Sequence, residues 1–249
     1  MTLAYDGRPF RGFAVQRGLP TVAGALTSAL ERTLGAPVAL AVAGRTDAGV
    51  HAWGQVVSFD APAEAFDPDA LQRSLNRQLA PTIAVRAVAE APADFHARFS
   101  ATARRYRYTV VNRAVPDPSL AATAWHVASP LDLGALRLAC DPLVGEHDFT
   151  SFCRAPKGAE EGASLVRRVT EARWVAAGDG ILAFEIEASA FCQQMVRAIV
   201  GTLVAVGLGR RRAGDLSAVI AARRRSAAER VAPAHGLCLL LVRYGAEHG

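Results

Sequence analysis

The amino-acid order predicts an α+β protein made of two ferredoxin-like β-α-β-β-α-β halves. Three observations carry that expectation: short alternating segments that read as strands, longer segments with apolar residues at helical spacing, and the recurrence of one strand-helix order along the 249 residues. Each half would hold an antiparallel sheet with helices on one face and the other face open, and the two sheets would lie side by side. The halves are expected at residues 1–100 and 101–249.

Leu3–Tyr5 reads as a first strand, and Thr21–Leu34 as a helix with Val22, Leu26, Leu30 and Leu34 on one face. Val38–Ala43 and Val50–Phe59 read as two strands, the second alternating Val57 and Phe59 against Ser58 and Asp60. Asp67 followed by Pro68 is an N-cap with proline in the first turn, opening a helix through Leu71, Leu75 and Leu79. Ile83–Ala89 closes the half. From Arg104 the order recurs: a strand to Asn112, a helix over Asp132–Val144, strands at Val166–Ala176 and Ile181–Ala188, a helix over Cys192–Leu208, and a strand at Leu237–Tyr244. The second half adds a proline-containing segment at Val115–Pro130, a loop at Ala155–Ala163 and a short helix at Asp215–Ala222.

With 51% hydrophobic and 20% charged residues the composition is that of a soluble globular protein. The longest apolar run, Met195–Leu208, is interrupted by Arg197 and glycines, so no membrane span is expected. The N-terminus lacks a basic segment leading into a long apolar stretch and is not read as a secretory signal. Four cysteines without a CxxC pair point to a cytoplasmic, reducing setting with no disulfide framework, and six histidines without metal spacing give no metal site. The net charge is +5, and Lys157 is the single lysine. Arginine clusters at Arg104, Arg105 and Arg107, at Arg167 and Arg168, at Arg210–Arg212 and at Arg223–Arg225 suit a polyanion such as RNA, for which the open sheet faces would form a cleft. Genomic base bias with solvated helix faces explains the same composition.

The stretch GRTDAGVHAWGQ, Gly44–Gln55, raises a sharper question. Aspartate and glycine are ordinary turn residues. A turn needs no arginine, however, and Arg45 placed two residues before Asp47 can set a guanidinium against a carboxylate, keeping it ionised and fixing its rotamer as a nucleophile or base requires.

Those residues, with GQVVSF after them, DFHARFSATARRYRY at Asp94–Tyr108, GEHDFTSF at Gly145–Phe152, MVRAIVG at Met195–Gly201 and AYDG at Ala4–Gly7, resemble the TruA-type tRNA pseudouridine synthases, block by block and in family order. The resemblance implies that Asp47 is the catalytic aspartate, Arg45 its orienting partner, Tyr106 the tyrosine that stacks on the target base, Arg197 a second basic residue at the aspartate, and Leu237 an apolar pocket residue. Arg104, Arg105, His51 and His96 fall in or beside the same blocks as candidate substrate contacts. It further implies isomerisation of uridines on the 3′ side of the tRNA anticodon stem-loop, with tRNA as partner, a homodimer, no cofactor and no metal.

By pattern alone, Tyr106 and Tyr108 are equally ordinary strand residues or a base platform. Arg197 in an apolar helix calls for a partner. His51 and His96 read as structural or RNA-contacting, and Asp6 and Asp148 as loop or cap residues. The sequence departs from the family at Phe13, where a tryptophan is usual, and at Gln193 and Gln194, where basic or histidine residues are usual. The rival readings are a family member with a different uridine target, a ferredoxin-like metabolic enzyme, and a catalytically silent RNA-binding protein on the same fold. The Arg45 and Asp47 pair counts against the last, because binding a polyanion gains nothing from a carboxylate.

Overall fold

A computed structural model describes residues 1–61, 67–154 and 164–245. The loop expected at Ala155–Ala163 lies outside the described residues. In chain order the first elements are β1 (Thr2–Tyr5), α1 (Val22–Leu34), β2 (Ala41–Val42), β3 (His51–Ser58), α2 (Pro68–Leu79) and β4 (Ile83–Ala87). They continue with β5 (Ala101–Val111), β6 (Trp125–His126), α3 (Leu133–Leu138), β7 (Gly145–Asp148), β8 (Val166–Ala176), β9 (Ile181–Ala188), α4 (Met195–Gly207), α5 (Asp215–Ala221) and β10 (Leu237–Tyr244). The fold is mixed α+β with mostly antiparallel strand pairing. It divides into two compact units, one of Met1–Ala103 with Cys238–Gly249 and a second of Arg104–Leu237. Sequence order alone places a boundary at residue 100 and the last strand in the second half; in the fold, Cys238 onward belongs with the first unit.

In the first unit the strand order is β4-β1-β3, with β2 antiparallel on β3. On that same strand β10 runs parallel to the start of β3, Cys238 opposite His51 and Leu239 opposite Ala52. Helix α1 is capped by Thr21, whose hydroxyl accepts from the Gly24 N–H, and ends on Gly35 in the left-handed conformation. Its Val22, Leu26 and Leu30 are buried, as are Leu71, Leu75 and Leu79 of α2. Each such side chain contributes roughly 1.5–3 kcal/mol by leaving water. Of the expected 38–43 strand, Ala41 and Val42 pair with β3 and the Ala43 N–H donates to the Val56 carbonyl, whereas the Val38 N–H donates back to Glu31 Oε1 of α1.

In the second unit β9 lies antiparallel between β5 and β8, β7 flanks β8, and β6 runs parallel to β5. Helix α4 is buried on nearly every side, which explains why its sequence is apolar all round apart from Arg197 and Thr202. The single helix expected over 132–144 is α3 followed by a separate 3-10 turn at Asp141–Leu143. Pro142 has no N–H to continue the ladder and disfavours helical backbone at Asp141. Helix α4 starts at Met195, because Gln194 is in the left-handed conformation with φ 64° and cannot extend a helix backwards.

The cysteines correct the sequence reading. Cys153, after a 3-10 turn at Thr150–Phe152, and Cys192, just before α4, form a disulfide across 39 residues, their Cα atoms 5.7 Å apart. Linear spacing carries no trace of such a pair, since only the fold of the second unit brings the two segments together. Cys140 and Cys238 lie outside this disulfide, and burial pushes the Cys140 thiol up to about 12.

Candidate active site

The Arg45–Asp47 segment joins β2 to β3. Burial alternates along it: Arg45 is exposed, Thr46 buried and Asp47 half-buried. Among the described residues Arg45 makes no hydrogen bond or ion pair with Asp47. The backbone is held from two sides. The Phe13 N–H donates to the Thr46 carbonyl at 3.0 Å and the Val50 N–H to the Asp47 carbonyl at 3.1 Å. Two glycines make room for this approach: a Cβ on Gly7 would collide with the Val50 carbonyl, and one on Gly12, at φ +100°, would press on the Thr46 carbonyl. The AYDG and RGF segments therefore form the wall on which the loop rests.

Phe13, which stands where the family usually has tryptophan, acts on the loop through its backbone. Its ring is 2% exposed and packs 6.2 Å from that of Tyr5. Two residues that the sequence reading passed over lie behind the loop. The Tyr5 hydroxyl is 2.8 Å from Thr46 Oγ1, and Gln55 Nε2 donates to the Gly44 carbonyl at 2.7 Å and to the Tyr5 hydroxyl at 3.2 Å. A fully buried amide in an apolar strand was the available signal, since such a group needs partners.

His51 and His96 both lie in the first unit. His51 is buried, its Nδ1 accepting from the Gly7 N–H at 3.3 Å and lying 3.4 Å from Asp6 Oδ1. The Arg8 guanidinium, hydrogen-bonded to Asp6, holds that carboxyl below the usual range. His96 caps a turn: its Nδ1 accepts from the backbone N–H of Arg98 and Phe99, and its ring lies 4.5 Å from that of Phe99. Phe99 itself is 76% exposed.

In the second unit β5 sorts its side chains by face. Arg104, Tyr106 and Tyr108 point inward and are buried. Arg104 Nη1 donates to the Ser189 carbonyl at 2.8 Å. Tyr106 meets Phe191 edge-on at 5.1 Å. Tyr108 is wholly buried, donates to the Pro233 carbonyl at 2.9 Å and covers Gly236, where a Cβ would strike its ring. That settles the sequence ambiguity for Tyr108, which is a core residue. Burial raises its hydroxyl far above the ordinary range, opposed by the nearby Arg197. Arg197, in the first turn of α4, donates from Nε to the Ala232 carbonyl at 2.8 Å, and the Ala232 N–H returns a bond to the Arg197 carbonyl at 3.0 Å. The 232–236 segment thus runs from Arg197 past Tyr108 to Leu237, which is 6% exposed.

The outward face of β5 behaves differently. Arg105 bonds Glu187 at 2.8 Å and Glu171 at 2.5 Å, Arg173 bonds Glu171 and Glu185 at 2.6 Å each, and Arg107 bonds Glu185 at 2.6 Å. This chain of three arginines and three glutamates neutralises itself. Burial alone would raise the Glu185 carboxyl, but the hydrogen bonds from Arg107 and Arg173 outweigh it and hold the group low. The Arg104, Arg105 and Arg107 cluster therefore adds far less to a polyanion-attracting surface than the bare sequence suggests.

Comparison with known proteins decides the family. The model of the tRNA pseudouridine synthase family matches residues 1–100 and 139–245. The chain belongs to that family. It is accordingly an enzyme, an isomerase. A "tRNA pseudouridine synthase A" of Halalkalibacterium halodurans is 41% identical over 95% of this chain and 89% of its own length. Proteins of the same name from Brevibacillus brevis, 42% identical over 97% of both chains, and from Frankia casuarinae, 44% identical over 98% of this chain and 88% of its own, are similar throughout. The family match includes the Asp47 loop and Arg197, while Tyr106 falls between its two matched segments.

Proposed function

We propose that the protein converts uridine to pseudouridine on the 3′ side of the tRNA anticodon stem-loop, with Asp47 as the catalytic carboxylate. The observation that carries this reading is the Asp47 loop: a half-exposed carboxylate on a backbone pinned at Thr46 and at Asp47 itself, inside the RTDAG block of a pseudouridine synthase. The reaction detaches uracil from ribose C1′, turns it over and rejoins it through C5, with no redox change and no net hydrolysis. A carboxylate can attack C1′, add to base C6, or remove a ribose proton. Each route needs it ionised and held near the sugar.

Arg45, exposed beside Asp47, would meet the carboxylate and the flipped nucleotide when RNA is bound. Tyr106 would stack on the freed uracil and help remove the C5 proton. Arg197 would add positive charge and Leu237 an apolar wall, with Arg104 near the same strand. Arg105 is kept out of this set, because its guanidinium already serves two carboxylates. His51 and His96 would support the backbone around the site. The first-unit order β4-β1-β3-β2 is that of a split β-α-β half, consistent with a ferredoxin-like architecture. A homodimer working in the cytoplasm without a cofactor completes the proposal.

The test is tritium release from a tRNA transcript labelled at uridine C5, without added metal or nucleotide. Wild-type protein is expected to release label and Asp47→Asn none, with tRNA binding retained. Equal release by both proteins overturns the assignment of Asp47. Release only from transcripts lacking those anticodon-stem uridines overturns the target.

A further inference from the structure

We propose that Tyr5 and Gln55 are positioning residues for Asp47, acting through Thr46 and Gly44 as a buried hydrogen-bond chain that fixes the loop before substrate arrives. The inference rests on the reading of Asp47 as the catalytic carboxylate. Its starting point is burial: Tyr5 is 5% exposed, Thr46 7% and Gln55 0%, so every polar atom among them must find a protein partner.

The partners fix the direction of each bond that the Gln55 amide makes. The Gly44 carbonyl can only accept, so the amide nitrogen of Gln55 must face it. The Val56 N–H can only donate, and it meets Gln55 Oε1 at 3.2 Å, so the amide has one orientation. The second N–H of that amide then reaches the Tyr5 oxygen, which accepts it and shares a hydrogen bond with Thr46 Oγ1 at 2.8 Å. Burial holds the Tyr5 hydroxyl up at about 12, so it keeps its hydrogen at any pH suited to tRNA.

Gly44 and Thr46 bracket Arg45 and immediately precede Asp47. The chain therefore grips the loop on the side away from the two charged groups. Together with the Phe13 and Val50 backbone bonds, it leaves the Asp47 side chain little freedom to drift with the backbone. Preorganisation of this kind acts on the chemical step, since a displacement of about 1 Å can cost as much as 100-fold in rate.

The experiment is single-turnover tritium release by the full-length protein, with tRNA affinity and thermal melting measured on the same preparations. Tyr5→Phe keeps the ring against Phe13 and removes only the hydroxyl. It is expected to slow the chemical step about 10- to 100-fold while leaving tRNA affinity unchanged. Thr46→Val should match it, and Thr46→Ser, which restores the hydroxyl, should return most of the rate. The Tyr5→Phe/Thr46→Val double variant should be no slower than the slower single one, because both break the same chain. Wild-type rates for Tyr5→Phe, equal rates for Thr46→Val and Thr46→Ser, or losses that merely track the unfolded fraction would each overturn the inference. An Asp47→Asn control separates the two levels: if it stays active, the catalytic reading fails and this one with it; if it is dead while Tyr5→Phe is fully active, only the positioning role fails.

Discussion

Arg45 and Arg105 stand in comparable sequence contexts, each within two residues of a position that the family pattern places at the site, Asp47 and Tyr106. Their surroundings differ sharply. Arg45 is exposed on a loop whose neighbours are clamped, whereas Arg105 lies on a strand with Glu187 on one side and Glu171 reachable beyond it. An arginine with its charge already matched holds a sheet together, and an exposed one beside a fixed carboxylate is available to a ligand. Composition counts the two alike.

Substitution of each by methionine should divide these roles most clearly. Arg45→Met is expected to lower single-turnover release about 100-fold, the order of magnitude for one preorganised cation or donor, with melting unchanged. Arg105→Met takes the shared guanidinium away from Glu187 and leaves Glu171 with Arg173, and should cost about 1–3 kcal/mol of stability, with release per folded molecule near wild type. Reversed results would mean that the outward ladder of β5 contacts substrate.

What was legible in the sequence follows the same divide. Periodicity revealed the helices α1, α2 and α4 and most strands, because burial on one face dictates residue type every second or every third to fourth position. The RTDAG loop was visible because Arg45 is a residue that a turn does not need and because the whole block resembles a known family. Partnerships across long separations were not. Arg105 meets Glu187 and Glu171 at separations of 82 and 66 residues, Gln55 meets Tyr5 at 50, and Cys153 meets Cys192 at 39. Local pattern holds no record of which segments will touch. The break in the 132–144 helix, by contrast, was readable, since Pro142 stands in plain view.

The glutamate ladder also predicts a pH effect. The Glu185 carboxyl lies below its ordinary value in the folded protein, so its pairing stabilises the fold above the ordinary glutamate range and is lost as pH falls through the lower folded value. Glu185→Gln should flatten the acid limb of a stability-against-pH curve while lowering neutral stability by about 1 kcal/mol, a small figure because Arg107 and Arg173 are half-exposed. An unaltered acid limb would mean that the ladder holds no carboxylate that matters to folding.

The basic run at Arg210–Arg212 brings the comparison to its finest scale, within three consecutive residues. Arg211 bonds Glu229 at 2.7 Å and the Ala227 carbonyl at 3.0 Å, whereas Arg210 and Arg212 are exposed. If exposed arginines bind tRNA phosphates and committed ones do not, changing Arg210 and Arg212 together to alanine should reduce the salt slope of tRNA binding by about two units, one for each lost phosphate contact. Arg211→Ala should leave the slope alone and lower only the melting temperature, because its charge is already matched by Glu229. Equal slopes for wild type and the double variant would make the run a solvated surface and return its sequence signal to base composition.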